Sequence, residues 1–346
     1  MLVSFKNNRL VLLVITLMVF FVSPAIADDR EDDKKSKLAI DKVKNGLSVM
    51  VLGSGGPMTL PNNRAASGFM IFVDKKPRIL MDAGGGVYKR IGDAGINIAD
   101  LDTVLITHMH IDHMADLDAV VKSIYFHNLL KNKTRSHPIH FYGPGAAPEG
   151  APGPARDYHA TTSFVDGHFH KEEGLNRYLH FFAGAIGAGE FNYVAHDVSQ
   201  NLALPTKTII ETADGLVVKA IGVPHGPVPA LAFRVEYDGK SIVWSGDTSS
   251  TSVNNNMVNL SNNTDLLIYD TAILDTTRPP FSILHTTPNR IGEVADEADV
   301  KKLVLSHLTP QTENNLKLVK RQIREAGYRG KLKVAKDLKV YNLHDD

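Results

Sequence analysis

The chain has 346 residues, 43% hydrophobic and 22% charged, a balance that suits a globular protein with a sizeable core and excludes a disordered or fibrous one. Its 38 basic and 38 acidic residues cancel, so no overall basic field advertises nucleic acid or an anionic membrane as a partner. Cysteine is absent, which excludes disulfides, thiolate nucleophiles and cysteine metal ligands and leaves any metal chemistry to histidine and carboxylate.

At the N-terminus, Lys6 and Arg9 precede an apolar run from Leu10 to Val22, followed by Ser23, Pro24 and the small-residue pattern Ala25-Ile26-Ala27. This layout predicts a signal peptide over residues 1–27, cleaved after Ala27, and a periplasmic or secreted protein. The 13 residues of this run would span about 20 Å as a helix, short of a hydrocarbon core of about 30 Å, so no stable membrane anchor is expected. Cleavage leaves 36 basic and 38 acidic residues, a net charge of −2. Residues 28–45 are charged and poor in apolar side chains and read as a flexible leader. Order is expected to begin near Leu47, in one domain over 46–346.

Leu47 to Leu52 has β-type composition and runs into the turn Gly53-Ser54-Gly55-Gly56-Pro57. Gly68 to Val73 and Arg78 to Met81 read as further strands, the latter ending in Asp82-Ala83-Gly84-Gly85-Gly86. Val87 to Ala94 reads as a short helix, and Thr103 to Thr107 as a buried strand aimed at a histidine-rich run. Residues 142–200 form an insertion rich in Gly, Pro, Ala and histidine. It reads as a surface excursion, with a lid or substrate-binding insertion as the alternative. Downstream, Leu216 to Val223, Ala230 to Tyr237 and Lys240 to Ser245 read as strands, the last two joined by the two-residue turn Asp238-Gly239. Helices are predicted over Pro288 to Ala298 and Glu313 to Gly327, each before a strand, Lys302 to Ser306 and Lys331 to Val334. Hairpins mixed with strand–helix units predict sheets covered by helices on the outside.

His108, His110, Asp112 and His113 put four metal-capable groups within six residues at the end of a strand. Buried histidines and aspartates are costly unless paired or bound to a cation, so such a cluster points to metal. One loop cannot complete the shells of two ions, which predicts further ligands at later strand ends. His225, Asp247 and His307 each follow an apolar strand and are the candidates.

The loop Thr107-His108-x-His110-x-Asp112-His113, with His225, Ser245-Gly246-Asp247-Thr248 and Ser306-His307, resembles the metallo-β-lactamase superfamily. Within it the chain looks most like the ribonuclease Z and arylsulfatase branch, through Leu52-Gly53-Ser54-Gly55-Gly56-Pro57 with Arg64 and Ser67, Leu80-Met81-Asp82-Ala83-Gly84, and His285-Thr286-Thr287. The resemblance covers about Leu47 to Tyr341. It implies an α/β fold, a four-layer αββα sandwich with metals at one edge between the sheets. It also implies that His108, His110 and His225 bind one metal and Asp112, His113 and His307 a second, with Asp247 bridging. Zinc suits these ligands, and manganese or iron also accepts them.

Two such ions would share a bridging water, lower its pKa and let hydroxide attack an ester. Asp112 would orient or deprotonate that water. His285 resembles the proton donor to the leaving oxygen, the alternative being a histidine that caps the helix beginning near Pro288. Asp82 is expected to fix a ligand histidine rather than bind metal. Arg64 is read either as a contact for a substrate anion or as an exposed loop arginine, and His159, His168, His170 and His180 as surface residues. Ribonuclease Z enzymes carry a tRNA-gripping arm between the positions matching His225 and Asp247. Only 21 residues separate the two here, so tRNA is not expected as a partner. The leading expectation is a small-molecule phosphodiester or sulfate ester. A lactone or β-lactam is the alternative substrate, a metal-binding module without catalysis the alternative class, and a homodimer is allowed for.

Overall fold

The computed structural model describes residues 37–58, 63–147, 158–250 and 255–344. The signal peptide expected over 1–27, residues 28–36 of the leader and residues 148–157 of the insertion lie outside the described residues. Where the leader is described, it departs from expectation. Ala39–Lys42 forms a 3-10 turn, with Ala39 and Val43 buried in the core and the Lys44 amide donating to Asn342 Oδ1 at 3.1 Å. Two apolar side chains one turn apart pin this segment, a signal masked by the charges around them.

In chain order, β1 (Leu47–Gly53), β2 (Gly68–Val73) and β3 (Lys76–Met81) form a meander, followed by α1 (Val87–Ala94) and β4 (Thr103–Leu105). A single helical turn, α2 (Ile111–Met114), leads into α3 (Leu117–Leu130) and β5 (Ile139–Pro144). Then come α4 (Thr161–Phe169), α5 (Asn176–Ala185), β6 (Tyr193–Val198), β7 (Lys207–Glu211), β8 (Val217–Val223), β9 (Ala230–Tyr237) and β10 (Lys240–Trp244). The chain continues through α6 (Asn256–Ser261), β11 (Leu266–Asp270), α7 (Pro288–Glu297) and β12 (Lys302–Ser306). It closes with α8 (Pro310–Glu313), α9 (Leu316–Glu325), β13 (Lys331–Val334) and β14 (Val340–Asn342). The single helix expected over Glu313 to Gly327 is thus interrupted, with Asn315 in a non-helical conformation (φ −118°) before α9.

Among the described residues these strands form two seven-stranded sheets, ordered β14-β1-β2-β3-β4-β5-β6 and β13-β12-β11-β10-β9-β8-β7. Side-chain alternation explains the stacking. Leu47, Val49 and Val51 of β1 meet Phe233, Trp244, Ile268 and Val304 in a core between the sheets. Met50 and Leu52 face the other way, onto Ile91, Val120 and Ile124 of the outer helices. On the second sheet Val243, Leu267 and Leu303 likewise pack under Ile291, Val294, Val319 and Ile323. Both sheets are therefore buried on both faces, which is the αββα sandwich. Fully burying each such side chain stabilises the fold by about 1.5–3 kcal/mol.

Residues 158–198 are not a plain surface excursion. Val165 and Phe169 of α4, Leu179 and Ala183 of α5, and Phe191 are buried against the first sheet, and β6 extends that sheet by pairing in parallel with β5. Among the described residues no helix is long and apolar enough to cross a membrane. Strands β3 to β6 run parallel, as do β10 to β13, and β8 points with β10 because both are antiparallel to β9. The C-terminal ends of β8, β10, β11 and β12 therefore share one edge, and the loops that leave them carry the chemistry.

Candidate metal centre

After Leu105 the chain leaves the sheet. The Thr107 amide turns to Asp82 Oδ1 at 2.9 Å, and His108 follows into the interior. His110 precedes the turn of α2, which carries Asp112 and His113, and the His113 carbonyl accepts from the Ala83 amide at 2.7 Å. This close approach depends on Gly84, where a Cβ would collide with the Asp112 carbonyl oxygen. Across the cleft Gly246 (φ +57°) lets Asp247 in, and a Cβ there would lie 2.8 Å from the Leu231 carbonyl oxygen. Asp82 (φ 56°) and His307 (φ 55°) also adopt the left-handed conformation, each at an expense of about 1–3 kcal/mol that the surrounding structure must offset.

His108, His110, His225 and Asp247 form one set of donors that converge within 4.8 Å of one another. His108 Nε2 is 3.0 Å from His110 Nδ1 and 3.8 Å from Asp247 Oδ2, and His225 Nε2 is 3.3 Å from His110 Nδ1. The far nitrogens are occupied. His225 Nδ1–H donates to the Leu284 carbonyl at 2.7 Å, and His108 Nδ1 lies 3.1 Å from the Thr107 hydroxyl.

Asp112, His113, Asp247 and His307 form the second set, also within 4.8 Å. His307 Nε2 is 3.1 Å from Asp112 Oδ2 and 3.3 Å from His113 Nε2, and both imidazoles stand 3.4 Å from Asp247 Oδ1. His113 Nδ1–H donates to Asp82 Oδ2 at 2.9 Å, an oxygen that also accepts the Trp244 indole N–H at 2.9 Å. Asp82 thus fixes the ring of a candidate ligand and stays out of both sets.

Asp270, at the end of β11, plays the same part on the other side. Its Oδ2 accepts His285 Nδ1–H at 2.7 Å, and its Oδ1 lies 3.3 Å from His307 Nδ1. The sequence reading missed this residue, although Leu266-Leu267-Ile268-Tyr269-Asp270 repeats the pattern of an apolar strand ended by an acid. Asp247, Asp270, His285 and His307 also form a compact group. Because both Nδ1 atoms face the buried Asp270 carboxylate, that group reads as an electrostatic support for the second set rather than a third donor set.

Electrostatics separate the two sets. Burial and neighbouring imidazoles pull His108 well below the ordinary imidazole range, and burial pulls His225 to about 4 and His110 down as well. These rings present lone pairs, as a metal requires. Burial opposes charge at His113 and His307 too, but the Asp247 carboxylate, with Asp82 at His113 and with Asp112 and Asp270 at His307, outweighs it. His113 is held at about 10 and His307 well above its usual range. At His285 burial is likewise overcome by Asp270, so its pKa is raised.

The donors fit cations. Nitrogen and oxygen ligands about 2.0–2.1 Å from one tetrahedral ion would be about 3.3 Å apart, and the pairs above run from 3.0 to 3.8 Å. Asp247 Oδ1 is buried without a hydrogen-bond donor, an expensive state that a cation relieves. The cluster opens into a cavity of about 540 Å³ lined by His110, Asp112, His225, Asp247 and His285.

All eight residues named from the sequence meet here: His108, His110, Asp112, His113, His225, Asp247, His285 and His307. Arg64 does not. Its guanidinium donates to Ser54 Oγ, the Ala335 carbonyl at 2.8 Å and Glu313 Oε1 at 3.0 Å, so it ties loops together away from the cavity lining. His159 is exposed, His168 lies 3.4 Å from Asp118, and neither they nor His170 joins a donor set. The His180 side chain lies outside what the structure describes.

Two family models match parts of the chain: the beta-lactamase superfamily domain over residues 174–308 and the anti-Pycsar protein Apyc1 over residues 47–137. Ribonuclease Z of Mycobacterium bovis is 26% identical over 312 residues, covering 86% of this chain and 99% of the relative. Among solved structures, the metallo-beta-lactamase fold protein YhfI from Bacillus subtilis superimposes with a TM-score of 0.59 at 20% identity, over 86% of this chain and 99% of that one. The short form of human tRNase Z gives 0.58 at 21% identity, over 86% and 99%. The chain is a metal-dependent hydrolase with the metallo-β-lactamase fold, and it is similar over most of its length to the ribonuclease Z branch.

Proposed function

We propose that the protein is an exported hydrolase that cleaves a small phosphodiester or sulfate ester with two divalent ions, zinc first among them. His108, His110 and His225 would hold one ion, Asp112, His113 and His307 the other, and Asp247 both. The observation that carries this reading is the position of Asp247, with Oδ2 3.8 Å from His108 Nε2 and Oδ1 3.4 Å from both His113 and His307 Nε2. Ions held there would lower the pKa of a water between them and stabilise charge on an ester oxygen.

The chain's own residues supply the rest. Asp112 lines the cavity and would orient the attacking water and take its proton. With Nδ1–H held by Asp270, His285 keeps Nε2 for the cavity, where it would protonate the leaving oxygen. The raised pKa of His285 supports an acid that is charged at the start of the reaction.

A small substrate is supported by the second sheet. His225 and Asp247 are joined through β9, the Asp238-Gly239 turn and β10, leaving no room for a protruding arm. Among the described residues no lysine or arginine lines the cavity, whereas consecutive phosphates of RNA call for basic partners. The mainly apolar walls favour a second reading, a lactone or β-lactam. Purified, metal-loaded protein assayed on bis(4-nitrophenyl) phosphate, 4-nitrophenyl sulfate, a chromogenic lactone and a β-lactam separates the two. Turnover of a carbonyl substrate alone overturns the first reading. Recovery of the protein from the periplasm or medium with Asp28 as its first residue tests export.

A further inference from the structure

The cavity above the donor sets is built unequally. Its ionisable groups are candidate ligands and His285, and the rest of its lining is apolar apart from Thr309 and Gln311. Its apolar lining includes Ile273, Phe281 and Leu284, the last directly before His285, and Pro57, Met58 and Ile111, the last directly before Asp112. Three of these side chains stand out to water, Phe281 at 58% exposed, Met58 at 59% and Ile111 at 78%, whereas Ile273 is buried. Large apolar groups displayed together around a concave site mark a surface that is covered by something else.

The Phe281 wall is tied to the chemistry by its backbone. Phe281–Ile283 is a 3-10 turn, and the Phe281 carbonyl accepts the amides of Leu284 at 3.1 Å and His285 at 3.2 Å. The Leu284 carbonyl in turn accepts His225 Nδ1–H at 2.7 Å. One short segment thus sets the ring of a candidate ligand, the position of the acid and the aromatic face beside it. Phe281 and His285 thus line the same cavity four residues apart on one segment.

Resting on the ester-hydrolase reading above, we propose that the ester cleaved here has a large apolar leaving group that packs on Phe281, Ile273 and Leu284. Water forms the new bond to phosphorus or sulfur and gives a proton to Asp112. The bond to the leaving oxygen breaks, and that oxygen takes the proton of His285, so the products are an apolar alcohol and the acid. Phe281 is a specificity-determining residue, and a charged leaving group at the same place would lose its water for no compensating partner.

The test uses two phosphodiesters matched in leaving-group acidity, one releasing 4-nitrophenol and the other a nitrophenol that carries a carboxylate. The wild type should favour the uncharged ester by about tenfold or more in kcat/KM. Phe281→Ala, a change at an exposed side chain, should lower kcat/KM for the uncharged ester about tenfold, mainly through KM, and leave the carboxylated ester within about twofold. Phe281→Lys should reverse the preference. Equal rates on the two esters in the wild type, or equal losses on both in Phe281→Ala, overturn the proposal. Failure to cleave any ester sinks the ester-hydrolase reading instead. Calorimetry on the metal-loaded protein then decides for the wall: 4-nitrophenylphosphonate should bind about tenfold tighter than methylphosphonate and lose that margin in Phe281→Ala, and equal affinities overturn it.

Discussion

The two donor sets share Asp247 and differ in what stands behind them. His108 and His225 are backed by neutral groups, the Thr107 hydroxyl and the Leu284 carbonyl. His113 and His307 are backed by the buried carboxylates of Asp82 and Asp270, and Asp112 adds a third negative group. The first set therefore offers three imidazoles that burial keeps neutral, and the second a field that already holds positive charge. The difference teaches that a cation in the second set would be gripped by more negative charge, while one in the first would retain more of its pull on a substrate oxygen.

The largest expected effect breaks the comparison at its shared point. Asp247→Ala should remove both ions and lower turnover on the order of a thousandfold or more. Metal analysis that still finds two ions per chain would contradict the assignment. His285→Ala should reduce turnover by about 10²–10⁴ with metal content unchanged, because the residue stands outside both sets. Loss of metal from that variant would make it a ligand instead. Asp82→Asn should weaken metal binding about 10–100-fold in the second set, where it touches His113 directly, and less in the first, which it reaches only through Thr107, so titration with a limiting cation should show one tight site and one weak one. Equal weakening of both would erase the distinction between the sets.

The smallest effect serves as a control far from the centre. Arg78 Nη1 donates to Asp214 Oδ2 at 2.5 Å and helps hold that carboxylate at about 2, below its ordinary 3.8. The stabilisation is present above pH 4 and is lost as pH falls from about 4 towards 2. Because Asp214 is largely exposed, Arg78→Ala should cost less than about 1 kcal/mol at neutral pH, read as a small drop in Tm with both ions retained.

Much of the centre was legible because each donor directly follows an apolar strand. His225 after Val223, Asp247 after Trp244 and His307 after Ser306 announce themselves as polar residues where burial has just been established. Asp270 obeyed the same rule and escaped because β11 was not read as a strand, lying between the polar run Asn262-Asn263-Thr264 and a long loop. The helices α4 and α5 were illegible for a different reason. Histidines and glycines break their apolar periodicity, so the burial of Val165, Phe169 and Leu179 depends on the neighbouring sheet rather than on a clean local pattern. The leader failed in the same way, with Ala39 and Val43 hidden among charges.

The strand ends that share one edge also set an order of events. The cluster from His108 to His113 leaves β4 early in the chain, whereas His307 waits for β12 to dock in parallel beside β11. Such non-local parallel pairing is slow compared with local contacts. Without β12 in place the second donor set would lack His307, and Asp247 would lose one of the imidazoles that face its Oδ1. A cation that needs both Asp112 and His307 would therefore be held only by the closed sandwich, and its binding would stabilise the docked β12.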